Sequence, residues 1–344
     1  MGPNPAVASI RHAVRASLSA LDPGDLVLAA CSGGADSLAM AAALAFEAPK
    51  VGVQAGGVTV DHGLQPGSAE QAERVAATMT DLGLSPALSV AVAVAAPGAA
   101  GYHGPEAAAR LARYAALEAA AKTVAAPGEA WIMLGHTLDD QAETVLLGLA
   151  RGSGARSLAG MAPEAGRYLR PLLRIRRAQT AAACVALGLG YWEDPQNSDP
   201  AFTRTRVRLE AMPALAAALG PGIAEALGRT AELLRADADL LDAIAADESD
   251  KLGGTGAALA DGWSTSGVGA LPAAIRHRVL RQAALAAGCP AGDLSHRHTA
   301  SLDELVIGWH GQRWIDLPGR VRCERRYGKL LFTAARSEDP GGCE

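Results

Sequence analysis

A short glycine turn constrains the fold of this chain more than any other feature of its sequence. The turn, Cys31–Ser37 (Cys-Ser-Gly-Gly-Ala-Asp-Ser), follows the apolar run Leu26–Ala30 and precedes a helix-like run over Leu38–Phe46. A strand, a tight turn and a helix N-terminus in this order form an anion site, because the first helical N–H groups point at the anion. The sequence therefore predicts an α/β fold with a phosphate site after its first strand.

The residue types in the turn suit a nucleotide. Gly33 and Gly34 allow the backbone to approach an anion closely, while Ser32 and Ser37 add donors. Asp36 is a candidate Mg²⁺ ligand, since a carboxylate can share the ion with phosphate oxygens. The turn lacks the lysine of a Walker loop and the three glycines of a dinucleotide fingerprint, so neither of those sites is predicted.

Strand-like and helix-like runs alternate through the first half of the chain. This alternation predicts a parallel sheet with helices on both faces and ligands at the carboxyl ends of the strands. The predicted strands are 26–30, 57–61, 87–94 and 131–135, and the helices that follow them start at 37 and span 68–82, 105–126 and 138–150.

Two further motifs lie at the end of the second predicted strand and in the helix before the fourth. Val60 and His62 come at the end of the second strand, where a polar turn is the simpler explanation, but a neighbouring phosphate loop favours contact with adenine. In the third predicted helix, Glu106, Arg110 and Arg113 fall at helical spacing. Such spacing is typical of a solvated, salt-bridged face or of an arginine turned towards a ligand.

The fourth motif runs from Gly135 to Thr144 and is nearly as specific as the glycine turn. His136 leaves the fourth strand, and acidic residues follow in the first turns of the next helix. Adjacent acids there also suit the helix dipole, but the whole set beside a phosphate loop predicts Mg²⁺ binding or proton transfer. The candidates for the base and for holding an ammonium group, which the sequence does not rank, are His136, Asp139, Asp140 and Glu143.

Arginines recur between residues 151 and 208 and predict contacts with RNA phosphates. Arg204 and Arg208 would share one face of a helix, and Arg206 would join them in an extended segment. A solubilising surface is the alternative. The candidate RNA contacts are Arg151, Arg170, Arg174, Arg204, Arg206 and Arg208.

These motifs together resemble the PP-loop ATP pyrophosphatases, which have an adenine nucleotide alpha hydrolase-like fold, and within them the tRNA(Ile)-lysidine synthase family. The resemblance covers about residues 26 to 210. Thr205 stands where that family commonly has Asn, and Gln196 replaces a small hydroxyl residue, which puts only local geometry in doubt. The other matching segments are Arg151–Gly154, Gly160–Met161, Arg170–Leu173, Glu193–Asn197 and Phe202–Arg208.

The resemblance implies a two-step reaction with ATP and Mg²⁺. ATP adenylates the C2 carbonyl oxygen of the wobble cytidine of a CAU-anticodon tRNA(Ile), and L-lysine then displaces AMP to give lysidine. Asp36 would bind the metal, Arg113 would stabilise charge at the α-phosphate, and Gly135 would join the nucleotide site. The implied partners are this tRNA and lysine, with no membrane and no obligatory protein partner.

The domain prediction divides the chain after the last of these motifs. We expect a catalytic PP-loop domain over residues 1–215, a linker helix with a smaller, mainly helical tRNA-binding domain over 216–336, and a disordered tail over 337–344. Longer family members have a further C-terminal domain, and we expect the shorter form here. A basic hairpin over 314–332 would grip the tRNA.

Composition limits the alternatives. Five scattered cysteines argue against a cluster site and for the reduced thiols of the cytoplasm, and thus against a PP-loop tRNA cytidine thiolase. A non-catalytic, nucleotide-responsive RNA-binding module would be expected to lose acidic residues near the phosphates. Aromatic residues make up 4% of the chain, so base stacking is not expected to be the main binding device.

Overall fold

A computed structural model describes residues 2, 4–63, 65, 67–96, 98, 102, 104–124, 129–152, 154–194, 199–255, 259 and 261–334. Two compact units are present, the first formed by residues 1–151 and 157–232 and the second by residues 152–156 and 233–344. The predicted tail at 337–344 and the motif residues 195–197 lie outside the described residues. The predicted functional division at residues 215 and 216 remains a proposal.

The first unit contains a mostly parallel sheet. Its strand order is β3-β2-β1-β4-β6-β5, with only the β5–β6 pair antiparallel. The prediction of a parallel sheet is confirmed, and the four predicted strands are present. The short pair β5 and β6 was not predicted, because two-residue strands give no periodic signal. The strands are β1 (Leu26–Ala30), β2 (Gln54–Asp61), β3 (Ala87–Ala91), β4 (Ala130–Leu134), β5 (Glu164–Ala165) and β6 (Tyr168–Leu169).

Helices cover both faces of this sheet. Along β1, Val27 and Ala29 pack into a core with α1, α2 and α7, whereas Leu28 and Ala30 pack into a second core with α4. All five residues of β1 are buried, as expected for a strand covered on both faces. The helices are α1 (Pro5–Leu18), α2 (Ala35–Glu47), α3 (Ser68–Asp81), α4 (Pro105–Val124), α5 (Leu138–Ala150), α6 (Ala155–Leu158), α7 (Arg177–Ala186), α8 (Thr203–Arg206), α9 (Met212–Leu219) and α10 (Ile223–Lys251).

The second unit combines the end of α10 with short helices and an antiparallel sheet of order β7-β10-β9-β8. The predicted helices and the hairpin over 314–332 are present. The glycine-rich stretch 253–269 contains β7 and α11. The elements are β7 (Trp263–Ser264), α11 (Thr265–Gly269), α12 (Ala273–Ala286), α13 (His296–Ile307), β8 (Trp314–Leu317), β9 (Val321–Arg326) and β10 (Lys329–Ala334).

Taken one at a time, the helices in the described parts of the chain are too short or too polar to span a membrane. One bent pair, 203–219 with 223–251, meets the length and composition criteria only when the two are taken together, across a bend of 98°.

Candidate active site

The glycine turn between β1 and α2 is held closed by its own side chains. Gly33 has a φ of +84°, and a Cβ atom there would lie 2.7 Å from Cγ2 of Val75. The Ser37 hydroxyl accepts the N–H of Ser32 at 3.1 Å and donates to the carbonyl of Gly34 at 3.0 Å. Gly33 is therefore required by both backbone conformation and space, and the Ser37 hydroxyl is engaged with the turn.

Gly135, at the end of β4, allows a second close approach to the turn. A Cβ atom there would lie 3.1 Å from both the N and the Cα of Ser37. Any larger residue would push the β4–α5 connection away from the start of α2. Gly135 therefore joins the predicted site through packing between two loops.

A cavity of about 500 Å³ opens at the carboxyl ends of β1 and β2. Its volume lies within the usual range for small-molecule sites. Four of the predicted nucleotide residues line it, and four do not. The lining includes Ser32, Gly34, Val60 and His62, together with Cys31, Arg113, Leu117, Trp192 and the carboxylates Asp61, Glu70 and Asp194. The predicted residues outside the lining are Gly33, Asp36, Ser37 and Gly135.

Arg113 projects from α4 into this cavity as a buried cation. Burial lowers the pKa of its guanidinium, and no carboxylate in the described ranges pairs with it. Arg110, one turn earlier, lies outside the lining and donates to the Tyr114 hydroxyl at 3.4 Å. Asp61, Glu70 and Asp194 also line the cavity, but none of them pairs with Arg113. A buried charge without a counter-charge is costly, so the surroundings of Arg113 suit an anion.

Two histidines near Arg113, His62 and His136, have buried Nδ1 atoms that form no hydrogen bond with any residue that the structure describes. Burial, reinforced by Arg113, lowers the pKa of His62. Burial also lowers the pKa of His136 to about 3, with Arg113 and Arg170 acting in the same direction and Asp140 opposing them. His136 is therefore uncharged at neutral pH and has an unused ring nitrogen.

Asp140 and Glu143, in the first two turns of α5, are buried in a cluster with arginines. Arg177 Nη2 lies 2.9 Å from Asp140 Oδ1, while Arg204 and Arg208 each approach Glu143 to 2.8 Å through Nε. Burial raises the pKa of Asp140, but Arg177 and Arg204 outweigh it, so the net pKa lies below the usual value. Asp140 is therefore ionised, and both carboxylates are paired with arginine side chains of this chain.

Asp140 also has a structural role at the start of α5. Its Oδ2 accepts hydrogen bonds from both the N–H and the hydroxyl of Thr137 at 2.8 Å, which forms a capping box. The other oxygen remains for the arginines. The position of Asp140 at the helix N-terminus, considered from the sequence, thus accounts for the contacts of one of its two carboxylate oxygens.

Asp36 and Asp139 complete the charged cluster. Asp36 accepts a hydrogen bond from the Thr180 hydroxyl and lies 3.4 Å from Arg177 Nε. Burial raises the pKa of Asp36 and outweighs the opposing effects of Thr180 and Arg177. Asp139 accepts the backbone N–H of Arg177 at 2.8 Å and pairs with Arg176 at 3.1 Å. We call Asp36, Asp139, Asp140, Glu143, Arg176, Arg177, Arg204 and Arg208 the acid–arginine cluster.

The structure separates the arginines predicted to contact RNA. Arg204 and Arg208 do share a helical face, and that face points to Glu143, whereas Arg206 is exposed and bonds to the carbonyls of Pro200 and Ala201. The remaining placements are Arg151, exposed at the end of α5; Arg170, which donates to the carbonyl of Ala162; and Arg174, which is paired with Glu232 at 2.7 Å.

The described ranges contain no group of three or more His, Cys, Asp or Glu side chains arranged to hold a metal ion. Asp36 is nevertheless suited to a shared ion, because its raised pKa reflects burial with insufficient positive charge nearby. Mg²⁺ in nucleotide enzymes commonly uses one or two carboxylates and completes its shell with phosphate oxygens and water. The donor chemistry therefore fits a metal that arrives with a nucleotide.

Sequence reasoning missed several residues of this region. Thr180 and Arg177 hold Asp36, and Trp192 and Asp194 line the cavity. Trp192 also donates its backbone N–H to the carbonyl of Gly33 at 2.9 Å. Arg177 had a signal, as one of a run of arginines, but its inward direction depends on tertiary packing. Thr180 and Trp192 had none.

Comparison with known proteins identifies two families along the chain. The PP-loop domain matches residues 8–215, which is more than half of the chain. The TilS substrate binding domain matches residues 264–331.

Curated relatives are similar over nearly their whole lengths. The tRNA(Ile)-lysidine synthase of Thermobifida fusca is 56% identical over 333 residues, covering 97% of this chain and 99% of that protein. The enzymes of the same name from Streptomyces coelicolor and Mycobacterium bovis are 52% and 47% identical, and cover 96% and 93% of this chain and 99% and 93% of their own.

Among solved structures, the U34-tRNA thiolase NcsA from Methanococcus maripaludis, determined with its [4Fe-4S] cluster, is similar with a TM-score of 0.53. The alignment covers 67% of this chain and 80% of that one at 18% identity. At this identity the likeness concerns the fold alone.

Proposed function

The chain belongs to the tRNA(Ile)-lysidine synthase family, and on that premise we propose how its residues carry out ATP-dependent lysidine formation. The protein is an ATP-dependent carbon–nitrogen ligase. It adenylates the C2 carbonyl oxygen of the wobble cytidine in a CAU-anticodon tRNA(Ile), releasing pyrophosphate. The ε-amine of L-lysine then attacks C2 and displaces AMP.

The position of Arg113 is the observation that supports the first step most directly. Its buried guanidinium has no counter-charge among the described residues and shares a cavity with Ser32 and Gly34 of the glycine turn. ATP would place its phosphates at the turn and its adenine against Val60, with Arg113 at the phosphate under attack. Negative charge develops on that phosphate, so a preorganised cation stabilises the transition state more than the ground state.

Mg²⁺ would be held by Asp36 together with ATP, and would neutralise phosphate charge. Thr180 and Arg177 each contact one oxygen of that carboxylate and so fix its orientation. Thr180 is fully buried and cannot rotate into solvent. We assign Asp36 to the ATP step, because its two oxygens are placed by groups that belong to the same unit.

The acid–arginine cluster supports the second step. Asp140 and Glu143 already bind guanidinium groups, so their surroundings suit a cation. The ammonium group of lysine would take the place of one arginine there. The cluster would thereby hold lysine close to the adenylated cytidine.

Lysine must lose a proton before it attacks, because an ammonium group has no lone pair. His136 contributes an uncharged ring whose buried Nδ1 has no partner, and so can accept a hydrogen bond from the amine. Asp139 is the more exposed of the nearby carboxylates, with a side chain 25% accessible. We propose that these two side chains orient the amine and pass its proton towards solvent.

The substrate RNA would contact both units. The exposed Arg151, Arg174 and Arg206 are the candidate phosphate contacts in the first unit, whereas Arg204 and Arg208 would contribute only after leaving Glu143. The second unit contains the matched substrate binding domain. We further propose that the protein acts in the cytoplasm, apart from membranes, and without an obligatory protein partner.

A tRNA cytidine thiolase is not favoured. The cysteines that the structure describes, Cys31, Cys184, Cys289 and Cys323, are free and buried, and two of them lie in each unit. A non-catalytic RNA-binding module is also not favoured, since the buried carboxylates remain beside the proposed phosphate site and the similar relatives are named as synthases.

The experiment is transfer of radiolabelled L-lysine to RNA. Purified protein is incubated with ATP, Mg²⁺ and unmodified transcripts of tRNA(Ile) with a CAU anticodon or of tRNA(Met). We expect ATP-dependent label on tRNA(Ile) alone. Label on both RNAs would contradict the assigned specificity, and AMP release without label would point to a nucleophile other than lysine.

A further inference from the structure

Exposed aromatic side chains are concentrated in one segment of the second unit. Trp309, Trp314 and Tyr327 are 50%, 46% and 91% exposed, although aromatic residues make up only 4% of the chain. All three lie within nineteen residues of sequence. Large aromatic surfaces left in water usually mark a binding site.

Each of these rings has an arginine against it. The guanidinium carbons of Arg325 and Arg322 lie 4.7 Å and 4.9 Å from the ring centroids of Trp309 and Trp314, respectively. Arg326 lies 5.1 Å from the centroid of Tyr327. Of these six residues, we call Trp314, Tyr327, Arg322 and Arg326 the aromatic–arginine surface.

Strand register determines which of these residues share a face of the sheet. Trp314 begins β8 and pairs with Glu324 near the end of β9. Arg325 and Arg326 are the last residues of β9, and Tyr327 lies in the turn to β10 with a φ of +49°. Trp309 is in the connection from α13 to β8. Alternation along β9 puts Arg322 and Arg326, together with Trp314, on one face of the sheet, and Arg325, together with Trp309, on the other.

The charge of the segment complements a polyanion. Residues 309–329 contain six arginine or lysine side chains and two acidic ones, within a chain of net charge −5. Asp316 pairs with Arg322 at 2.6 Å, and Arg325 donates to the carbonyls of Leu305 and Val306. These contacts fix the arginines in place and leave an excess of positive charge around the rings.

We propose that the aromatic–arginine surface stacks on unpaired bases of the RNA substrate, an inference that rests on the proposed function. Phosphate contacts need only cations, whereas exposed rings are useful where a base can leave its own stack. Bases inside a duplex are already stacked, so loop nucleotides fit this surface and a helical stem does not. The arginines flanking the rings then neutralise the phosphates of the same nucleotides.

The experiment measures the affinity of the full-length protein for an unmodified CAU-anticodon tRNA(Ile) transcript at several salt concentrations. In Trp314→Ala we expect a Kd about tenfold higher, in line with the roughly 5- to 100-fold effect of removing one stacking ring. The slope of log Kd against log salt should not change, because stacking releases no counterions. Trp314→Phe should keep most of the affinity. Arg326→Gln should reduce the slope by about one.

Phe46 provides a matched control in the first unit. It is 45% exposed and has Arg11 against its ring at 3.4 Å, yet it lies far in sequence from the basic segment. Phe46→Ala should leave the Kd unchanged. Tyr327→Asn is a second test variant, because Asn tolerates a positive φ and Tyr327 contributes almost nothing to the core.

The inference is overturned if Trp314→Ala and Tyr327→Asn both bind within twofold of wild type, or if Phe46→Ala weakens binding equally. A wild-type dimer that Trp314→Ala dissociates, with RNA affinity unchanged, would assign the surface to a second copy of the chain instead. A wild-type protein that binds the transcript but transfers no lysine would contradict the proposed function. The affinities of the variants would still test the stacking proposal separately.

Discussion

The cavity and the acid–arginine cluster, both in the first unit, differ in whether their charged side chains have partners of opposite charge. In the cavity, Arg113 is buried without a carboxylate partner among the described residues. In the cluster, Glu143 is buried against Arg204 and Arg208, and Asp140 against Arg177. Arg113 therefore lacks a counter-charge, whereas Asp140 and Glu143 already have arginine partners.

On the proposed assignment of ATP to the cavity and lysine to the cluster, this difference implies that the two substrates bind at different cost. An anion entering the cavity supplies a charge that the fold lacks, so its binding relieves the burial of Arg113. A cation entering the cluster must displace an arginine and gains only the difference between the two pairings. His136 lies where the two regions meet, because both Arg113 and Asp140 influence its pKa.

The largest expected effect comes from removing the unpaired cation. In Arg113→Gln we expect tRNA-dependent AMP formation to fall by roughly 100- to 1000-fold, the usual effect of losing one preorganised donor at a developing charge. Thermal stability should be unchanged or higher, because a buried unpaired charge is removed. Arg110→Gln, one turn earlier on α4 and outside the cavity lining, serves as the control and should keep its activity. An Arg113→Gln variant that retains more than roughly a tenth of the wild-type rate would contradict the assignment.

The next effect concerns stability. Glu143→Gln removes the nearer of the two carboxylates that Arg204 and Arg208 share and leaves Asp140, at 3.2 and 3.4 Å from them. The change should lower the free energy of unfolding by about 3 kcal/mol. Urea denaturation measures the change. Glu232→Gln removes an exposed partner of Arg174 and should cost less than about 1 kcal/mol. Equal losses in the two variants would show that the cluster is no different from a surface ion pair.

A pH titration separates the two regions through His136. Its pKa is about 3 in the folded chain and near 6.5 in the unfolded chain, so the unfolded state binds more protons between these values. Stability should therefore fall as pH decreases from 6.5 towards 3. In His136→Gln, the loss between pH 7 and pH 4 should be smaller by on the order of 1–3 kcal/mol.

Asp140 sets a second, lower window. Its pKa lies below 3.8 in the folded chain, so its contribution to stability is present above that pH and is lost as pH falls through the folded value. Unfolding monitored by circular dichroism from pH 7 to pH 2 would resolve the two windows. Identical pH dependence of wild type and His136→Gln above pH 4 would contradict the account of His136.

The smallest effect distinguishes an outward arginine from an inward one on the same short helix. Arg206→Ala should weaken tRNA binding by roughly two- to fivefold near physiological salt and lower the salt slope by about one. Arg204→Ala should mainly lower stability, since it pairs with Glu143. Equal tRNA affinity of Arg206→Ala and wild type at every salt concentration would remove Arg206 from the interface.

The sequence was sufficient for the elements that have strong local signals. The parallel sheet follows from alternating runs and the turn at Gly33, and α5 begins and ends at the predicted residues, Leu138 and Ala150. Helix α1 was not predicted, although Asn4 caps it, Pro5 begins it and its buried residues, Val7, Ile10, Val14 and Leu18, recur at helical spacing. Local periodicity thus predicted most of the helices and strands around the site.

The direction of charged side chains could not be predicted in the same way. Helical spacing placed Arg204 and Arg208 on one face, but it did not reveal that the face meets Glu143, more than sixty residues earlier. Ser37 was expected to point at phosphate, and its hydroxyl instead closes the turn. The pairing of Arg204 and Arg208 with Glu143 depends on contacts between distant segments, which a single sequence does not encode in any local pattern.

The most direct measurement compares Arg113→Gln and Glu143→Gln in the two half-reactions, below the unfolding midpoint of each variant. Adenylated tRNA is quantified with ATP and without lysine, and lysine transfer is then followed as lysine is added. We predict that Arg113→Gln forms little adenylated tRNA, whereas Glu143→Gln forms it and needs more lysine for transfer. Normal adenylation by Arg113→Gln, or loss of adenylation with unchanged lysine dependence in Glu143→Gln, would contradict the division of labour between cavity and cluster.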